Sequence, residues 1–343
     1  MATYEDSGVN IDLGDKCSAI AYNAAKGTFP GRKGMIGEPV VEDGGFTGTL
    51  DMGDYFLVQN DDGVGTKIIV AEKMQKYDTM GIDLLCMVID DAVCIGAEPI
   101  SVTNTIDVDK VDEAKITPLM EGLKNAALKH KVVIPGGEIA ELGKMCNGYI
   151  WNATCVGVVE KNRVITGEKI VPGDKIIGLK SPNFRSNGLS LVRHILSEKF
   201  GEDWVTEKFN DGKTWGEVVL EPSVIYASAI MEMHGRYKET AKVELKGVVH
   251  ITGGGIPGNL PRILKKTGLG ANLNNLPQPP QSMQKLMEIG NVSREEAYRT
   301  WNMGVGMILV SNDFEQIKEI CQKHGIEAEL IGEITEKGSG VSL

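Results

Sequence analysis

The stretch VGMILVSNDFEQIKEICQKHGIEAELI, residues 305–331, predicts a strand, a helix and a second strand in succession. Residues 305–310 form an apolar run of strand length. Residues 314–324 carry apolar side chains at helical spacing, and Gly325 follows as a typical helix stop. Residues 327–331 form another segment of strand length. The pattern favours an α/β arrangement for the end of the chain.

The same alternation continues towards the N-terminus. Strand patterns fall at residues 55–59, 100–106, 132–134, 148–160 and 175–179. Helix patterns fall at residues 80–96, 117–130 and 189–199 and from Pro222 to Met233. The turn signal Val171-Pro172-Gly173-Asp174 lies between two such series. For 343 residues we therefore predict an α/β (α+β) fold with an N-terminal domain at 1–170 and a C-terminal domain at 171–343.

Residues 1–54 carry many glycine and polar residues and show little periodicity, up to the pair Gly44-Gly45 before Phe46. Segments of this kind run over a protein surface and often carry function. The sequence therefore predicts either a mobile lid or an extended arm in front of the first domain.

The composition is that of a globular protein with an acidic surface. Apolar residues make up 42% and charged residues 24% of the chain, both near globular averages. The 47 acidic and 36 basic side chains give a net charge of −11, which disfavours nucleic-acid binding. No apolar run reaches the length of a membrane span, and the N-terminus lacks a signal-peptide pattern. We therefore expect a cytoplasmic protein without nucleic-acid or membrane partners.

The cysteines and histidines give no metal or disulfide signal. The six cysteines contain no C-x-x-C pair, and the five histidines contain no H-E-x-x-H spacing. In a chain of this length we expect reduced thiols, most of them in the core.

Residues 61–67, DDGVGTK, place two carboxylates beside a flexible turn after a predicted strand. A carboxylate such as Asp62 can bind Mg²⁺ together with substrate phosphates, and Lys67 can neutralise a phosphate. A solvated β-turn without a ligand is the alternative.

Three further acidic residues lie where a ligand could be held. Asp90 and Asp91 stand inside an otherwise apolar helix, where a charge needs a metal ion or an arginine as partner. A structural ion pair is the alternative there. Glu138 follows two glycines at the end of a predicted strand, a place where α/β sheets hold ligands. With Asp62 and Asp91 it would supply three oxygen donors for one or two Mg²⁺ ions.

Two glycine-containing turns are candidate phosphate sites. Ser186-Asn187-Gly188 precedes a predicted helix, and Thr252-Gly253-Gly254-Gly255 follows a strand pattern that ends near His250. Free backbone N–H groups at such turns bind anions. His250 is a candidate general acid or base. An ordinary turn and a structural histidine are the alternatives.

A set of ordered motifs carries a resemblance to one family. The motifs are YEDSGVNID at 4–12, DGVGTK at 62–67, GAEP at 96–99, GGE at 136–138, SNGLSLVR at 186–193, HITGGG at 250–255, NLPR at 259–262 and NMGVGM at 302–307. With them the chain resembles the phosphoribosylformylglycinamidine cyclo-ligases, also called AIR synthetases. Walker A, G-x-G-x-x-G and G-x-S-x-G motifs are absent, so ATP would bind on another scaffold.

The resemblance implies two α/β domains, a homodimer formed through the N-terminal mixed sheets, and ATP bound between the domains with Mg²⁺. In the implied reaction ATP phosphorylates the formyl oxygen of formylglycinamidine ribonucleotide (FGAM). An amidine nitrogen then attacks the activated carbon and expels phosphate, which closes the ring of aminoimidazole ribonucleotide (AIR) in purine biosynthesis. K⁺ is a candidate monovalent cation.

The resemblance also implies roles for single residues. Catalysis would fall to His250, Lys67 and Asp62, and Mg²⁺ would be held by Asp62, Asp91 and Glu138. The N-terminal arm would cover the nucleotide and exclude water. ATP and phosphate groups would be bound by Gly44, Gly45, Phe46, Gly63, Gly65, Thr66, Ser186, Asn187, Gly188, Thr252, Gly253 and Gly254.

Some positions depart from the pattern of the family. Arg185 stands where the family usually has a histidine, although an arginine can still bind phosphate. Asp90 replaces an asparagine, and residues 100–105 and 142–143 replace the usual segments. An alternative function is therefore another ATP-dependent enzyme of the same superfamily with a different amide or phosphate substrate. A catalytically silent binding subunit is a third hypothesis.

Overall fold

The structure is a computed structural model that describes residues 2–40 and 47–343, and it contains two six-stranded sheets. The strands are β1 (Glu38–Val40), β2 (Gly48–Asp51), β3 (Tyr55–Gly63), β4 (Glu98–Val108), β5 (Gly137–Glu141), β6 (Tyr149–Glu160), β7 (Lys175–Lys180), β8 (Gly247–His250), β9 (Gly270–Asn272), β10 (Val305–Val310), β11 (Ala328–Thr335) and β12 (Val341–Ser342). The helices are α1 (Ile11–Lys26), α2 (Lys67–Met74), α3 (Met80–Val93), α4 (Glu113–His130), α5 (Leu189–Phe200), α6 (Trp215–Val219), α7 (Ala227–His234), α8 (Gly255–Leu264), α9 (Gln281–Gly290), α10 (Arg294–Thr300) and α11 (Phe314–Lys323).

The first sheet has the order β1-β2-β3-β6-β4-β5, and all its pairs are antiparallel except β4–β5. Along β6, buried side chains alternate with more exposed ones, so one face of the sheet meets the core and the other faces outward. The second sheet has the order β12-β9-β11-β7-β10-β8 and is antiparallel except at β12–β9. Strand β10 is buried along its whole length. The predicted α/β (α+β) fold class is confirmed.

Helix α3 stands between the two sheets, and this buried position explains why its sequence is so apolar. Twelve of its residues are buried, including Asp83 and Asp90. Tight packing against α4 requires small residues, because a Cβ at Gly81 would come within 2.5 Å of the backbone of Leu123. The acidic residues of α3 therefore lie at the junction of the two units.

The predicted strand at 132–134 is wrong in extent. Only a bridge between Val133 and Ser101 forms there, because Pro135 follows and has no N–H group for a sheet ladder. The strand that pairs with β4 is β5. In the other direction, the predicted strand at 55–59 continues to Gly63, so Asp62 belongs to the strand and not to the following turn.

The helix predicted from Pro222 begins only at Ala227. The preceding residues stay irregular because their backbone N–H groups are bound by carboxylates of α3. Ser223 donates to Asp83 at 3.0 Å, and Tyr226 donates to Asp90 at 2.9 Å. A long-range contact therefore overrides the local helical signal.

The N-terminal segment is more regular than the sequence suggested. Asn10 caps the exposed 16-residue helix α1 by accepting a hydrogen bond from the N–H group of Leu13. Residues ahead of α1 pack on the second unit, where Ala2 N donates to Gly290 O at 2.9 Å. An arm of this kind is one of the two predicted forms. Gly44, Gly45 and Phe46 lie outside the described residues.

Two expectations about the surface and the thiols can be compared with the structure. No helix within residues 2–40 and 47–343 is long and apolar enough to cross a membrane. The cysteines are free, and all are buried except Cys17, as the sequence predicted.

Candidate functional site

The turn after β3 meets the turn before α5, and we refer to the region around this meeting point as the cleft. A Cβ at Gly65 would lie 3.7 Å from Ser186 O, and Thr66 Oγ1 lies 3.5 Å from Ser190 Oγ. On the same side, Asn187 Nδ2 lies 3.8 Å from the sulfur of Met87 on α3. The structure therefore brings together two of the predicted phosphate-binding turns from different units.

Gly63 ends β3 at a place where no side chain fits. Its partner in the register is Asn152 on β6. A Cβ at Gly63 would come within 2.1 Å of Asn152 Oδ1 and 2.8 Å of Trp151 O. Glycine therefore lets β3 and β6 pair up to the edge of the cleft, where the N–H group of Gly63 itself donates to Asp62 Oδ1 at 2.7 Å.

Asp62 and Asp91 form a pair of partly buried carboxylates in this cleft. Burial and, to a smaller extent, the nearby charge of Asp91 raise the pKa of Asp62 to about 6, against the lowering effect of the Gly63 N–H group. Burial also raises the pKa of Asp91 to about 7, against the lowering effect of Arg262 and Arg185. Within the described part of the chain, no cationic side chain makes an ion pair with Asp62. The two carboxylates therefore create a local demand for positive charge.

His250 lies directly behind Asp91 and is fully buried. Its Nδ1 atom is 2.7 Å from Asp91 Oδ1, and its Nε2 atom is 2.9 Å from Arg185 Nη2. Because a guanidinium only donates, Nε2 accepts and Nδ1 carries the proton that is donated to Asp91. Burial and the charge of Arg185 lower the pKa of His250 to about 3. The imidazole is therefore neutral with both nitrogens engaged, which suits positioning of Asp91 better than proton transfer.

Asp90 faces away from the cleft and holds the second unit. Its Oδ1 atom accepts from the N–H groups of Tyr226 and Ala227, both at 2.9 Å, at the start of α7. Its Oδ2 atom accepts from Arg185 Nη2 at 2.9 Å, and both side chains are fully buried. For Asp90 the structural ion pair is the correct alternative. Arg185 is committed to this pair and does not reach a phosphate in the cleft.

Lys67 is also buried in an ion pair. Its Nζ atom lies 2.7 Å from Asp83 Oδ2 and 2.7 Å from Glu221 O, and both charged side chains are fully buried. The predicted contact of Lys67 with a phosphate is therefore not present in this arrangement. The lysine instead joins α2 to α3 and to the second unit.

The helices α5 and α8 both begin in the cleft region with glycine caps. Gly188 and Gly254 have φ angles of +70° and +88°, and no side chain caps either helix. A Cβ at Gly188 or at Gly255 would clash with backbone carbonyl groups of residues 298–301. Both turns therefore rest on the same segment, and helix N-termini of this kind are suited to bind an anion.

Two side chains complete these turns. Asn259 Nδ2 donates to Gly253 O at 3.1 Å and Gly255 O at 2.8 Å, which turns the carbonyl groups of the glycine turn inward. The Oγ atom of Ser186 is buried and has no hydrogen-bond partner among the described residues. A buried hydroxyl without a partner is costly, and a bound phosphate oxygen would satisfy it.

Glu138 does not join Asp62 and Asp91. Glu138 pairs with Thr105, which pairs with Asn152, and all three are exposed on the outward face of the first sheet. Asp62 pairs with Ala153, which is buried on the opposite face. In the described chain no group of three or more His, Cys, Asp or Glu side chains is arranged to hold a metal ion. The predicted three-carboxylate set is therefore not formed within one chain.

Arg262, Asp83 and the full role of Arg185 were missed at the sequence level. Arg262 lies near enough to Asp91 to lower its pKa, and the NLPR motif that contains it was the available signal. Asp83 accepts from Ser223 and pairs with Lys67. Its pairing depends on contacts between residues far apart in the chain, and no local pattern signals it.

The comparisons with known proteins agree on one family. Family models described as AIR synthase related protein match the chain over residues 44–159 for the N-terminal domain and 171–343 for the C-terminal domain. A phosphoribosylformylglycinamidine cyclo-ligase of Thermococcus kodakarensis is 38% identical over 341 residues, covering 98% of this chain and 97% of the relative. The enzyme of that name from Pyrococcus furiosus is 39% identical over 340 residues, covering 98% and 96%.

Solved structures share the fold at low sequence identity. Hydrogenase maturation protein HypE in complex with ATP matches with a TM-score of 0.58 and 16% identity, over 82% of this chain and 77% of that chain. AaThiL complexed with AMPPCP and TMP matches with a TM-score of 0.57 and 16% identity, over 87% of both chains. Because both sequence relatives exceed one third identity along the full chain, the chain belongs to the phosphoribosylformylglycinamidine cyclo-ligase family.

Proposed function

We propose that the chain catalyses the ATP-dependent ring closure of FGAM to AIR, with release of ADP and phosphate, as a ligase of purine biosynthesis. Membership of the cyclo-ligase family supports this activity. The observation that carries the proposal is the cleft, in which the carboxylates of Asp62 and Asp91 lie near the glycine turns that begin α5 and α8. Anion-binding turns opposite a carboxylate pair are suited to a phosphoryl donor held with a metal ion.

ATP binding is supported by the solved structures of the same fold, since HypE was solved with ATP and AaThiL with AMPPCP. In this chain the phosphates would contact the N–H groups at Gly188, Gly253 and Gly254 and the free hydroxyl of Ser186. Gly63, Gly65 and Thr66 would approach from the first unit, and Asn187 and Thr252 would complete the turns. The helix dipoles of α5 and α8 favour negative charge at the same place.

The residues present fit a magnesium ion. Mg²⁺ is commonly held by one or two carboxylates together with phosphate oxygens and water. Asp62 and Asp91 supply such a pair, and burial raises the pKa of each carboxyl. When bound there, Mg²⁺ would neutralise phosphate charge during transfer. Glu138 is left out of this set because it lies on the outward face of the sheet. No residue of the cleft argues for K⁺, which stays a prediction from the resemblance.

The proposed mechanism follows from the glycine turns and from the hydrogen bonds that position the side chains of the cleft. The turns at 186–188 and 252–254 orient the phosphoryl donor, and the amides stabilise the phosphate that leaves after ring closure. Arg185 fixes the tautomer of His250, and His250 in turn fixes the orientation of Asp91. Closure of the N-terminal arm over the cleft would exclude water from the phosphorylated amide, which hydrolysis would otherwise destroy.

A homodimer through the outward face of the first sheet is part of this proposal. On the outward face of β6, Ile150 is 50% exposed, and Val156 and Val158 on the same face are partly exposed. Exposed apolar side chains on one face of a sheet are typical of a protein interface. The substituted segments 100–105 and 142–143 lie on β4 and just beyond β5, so they would affect the dimer contact more directly than the cleft. We place the reaction in the cytoplasm, an expectation that cell fractionation tests.

The proposal is tested by phosphate release from MgATP with FGAM and, separately, with formylglycinamide ribonucleotide, which lacks the amidine nitrogen. We expect release with FGAM at a rate far above that with the analogue, because only FGAM carries the nucleophile that closes the ring. Equal rates would contradict the proposal and favour another substrate. The buried position of Arg185 weighs against that alternative, since this departure does not alter the cleft surface.

A further inference from the structure

A second cavity, of about 800 Å³, lies between the two units near the N-terminal end of α3. Helix α4 lines one side of it, and the segment 223–242 lines the other. None of the residues assigned to the cleft above lines this cavity. Its volume lies within the range of about 300–1,000 Å³ that is typical of small-molecule sites.

The cavity combines an apolar floor with a basic rim. Ala126, Val224 and Met231 contribute apolar surface. The charged residues on the rim are Lys129, Lys131, Arg236 and Lys242 together with Asp78, Glu232 and Glu239. In a chain with a net charge of −11, four cationic side chains against three acidic ones make this rim locally basic, which favours anions.

Two of the lysines are free to meet a ligand. Lys242 Nζ already pairs with Glu232 at 2.9 Å. The ammonium groups of Lys129 and Lys131 make no hydrogen bond or ion pair with any residue of the described chain, and both side chains are exposed at the end of α4. Between them, His130 Nδ1 lies 2.8 Å from Ser228 Oγ, which fixes the end of α4 against α7. The two ammonium groups therefore flank a rigid wall.

The cavity is connected to the cleft by the irregular segment before α7. The N–H groups of Ser223 and Tyr226 donate to carboxylates of α3 at 3.0 and 2.9 Å. Val224, which stands between them, lines the cavity. The second of these carboxylates, Asp90, belongs to the buried network that positions Asp91. A ligand that packs on Val224 therefore contacts the segment that is hydrogen-bonded to the carboxylates behind the cleft.

We propose that this cavity binds a phosphate monoester of nucleoside size, and that its occupancy changes the affinity of the cleft for ATP. The phosphate lies at Lys129 and Lys131, and the apolar body of the ligand packs against Val224 and Met231. The proposal goes beyond the ring-closing activity, since it concerns a second site. A charge-assisted contact at each lysine and burial of one flat ring on the floor supply the affinity.

The test is calorimetric titration of the full chain with guanosine monophosphate, with uncharged guanosine as the matched ligand. We expect one site for the monophosphate and at least about tenfold weaker binding of guanosine, because the nucleoside lacks the charge that meets the lysines. The double variant Lys129→Ala/Lys131→Ala should also bind the monophosphate about tenfold more weakly. Lys124→Ala is the control, since Lys124 lies on the same helix but does not line the cavity.

Three results would overturn the assignment of the site: no binding of the monophosphate, equal binding by the double variant, or loss of binding equally in Lys124→Ala. The lysine comparison does not depend on the function of the cleft. Coupling is tested by titrating AMPPCP with Mg²⁺ in the presence and absence of saturating monophosphate. A changed dissociation constant for AMPPCP in the wild type, absent from the double variant, supports coupling. An unchanged constant, or displacement of the monophosphate by AMPPCP, overturns it.

Discussion

At the scale of single residues, Asp62 and Asp91 occupy positions that cost stability when no cation is bound. Burial raises the pKa of Asp62 to about 6 and that of Asp91 to about 7. Between the ordinary pKa of an aspartate and these values, the folded chain holds protons that the unfolded chain has released. The free energy of unfolding therefore falls as the pH rises through this window. The two buried carboxylates therefore favour binding of a cation in the cleft, and they lower the free energy of unfolding of the chain without that cation.

The substitution Asp62→Asn should consequently stabilise the metal-free protein at neutral and higher pH. We expect a higher melting temperature than the wild type at about pH 8 and little difference at about pH 3, where most of the wild-type carboxyl is protonated in both states. Thermal unfolding in the presence of a chelator measures this. A gain that is the same at both pH values would show that burial of the charge is not its cause.

The same substitution should abolish activity. Asp62→Asn and Asp91→Asn each remove one of the two carboxylates proposed to hold Mg²⁺, so we expect turnover to fall by about 100-fold or more. The matched control is Asp61→Asn, because Asp61 is exposed and hydrogen-bonds Thr154 Oγ1 at 3.0 Å. Steady-state assays should find the control close to wild type. Retained activity in Asp62→Asn and Asp91→Asn would refute the metal assignment.

At the scale of elements, the carboxylates of α3 hold the start of α7 and the core of the second unit. Arg185 and Asp90 form the fully buried pair in this contact. We expect Arg185→Met to destabilise the protein by about 3–5 kcal/mol, because Asp90 is left charged and buried. Adding Asp90→Asn should cost less than the sum of the two single changes. Urea unfolding of the four proteins measures the coupling, and strict additivity would contradict it.

Gly255 and Gly253, at the start of α8, are expected to have different roles. Gly255 is needed for packing, and Gly253 leaves space for the phosphates. A Cβ at Gly255 would come within 1.9 Å of Tyr298 O, whereas a Cβ at Gly253 meets no atom within 4 Å. We expect Gly255→Ala to lower the melting temperature strongly. Gly253→Ala should fold with stability within about 0.5 kcal/mol of wild type but bind ATP more weakly, because the methyl group enters the space of the phosphates. Unchanged ATP affinity in Gly253→Ala would move the nucleotide away from this turn.

Elements with a strong local pattern could be predicted from the sequence, whereas long-range partners could not. The apolar run of β10 and the glycine stop after α11 identify both elements directly. The irregular segment before α7 depends on carboxylates of α3 that are distant in sequence. The predicted grouping of Glu138 with Asp62 failed because strand order and face are set by pairing, which no local pattern records.

At the scale of the whole molecule, the outward face of the first sheet is proposed to bury itself against a second copy. Ile150→Glu places a charge on this face, so we expect a dimeric wild type and a monomeric variant in sedimentation equilibrium. Leu128→Glu is the control, because Leu128 is 70% exposed on α4, away from the sheet face. A wild-type monomer, or dissociation of the control as well, would contradict this interface.

The central claim is that the chain closes one imidazole ring for each ATP that it consumes. Its most direct test follows AIR formation and phosphate release together, from the purified protein with MgATP and FGAM. We predict equal amounts of AIR and phosphate, and no phosphate release above background without FGAM. Phosphate release without AIR, or release that does not depend on FGAM, would contradict the account.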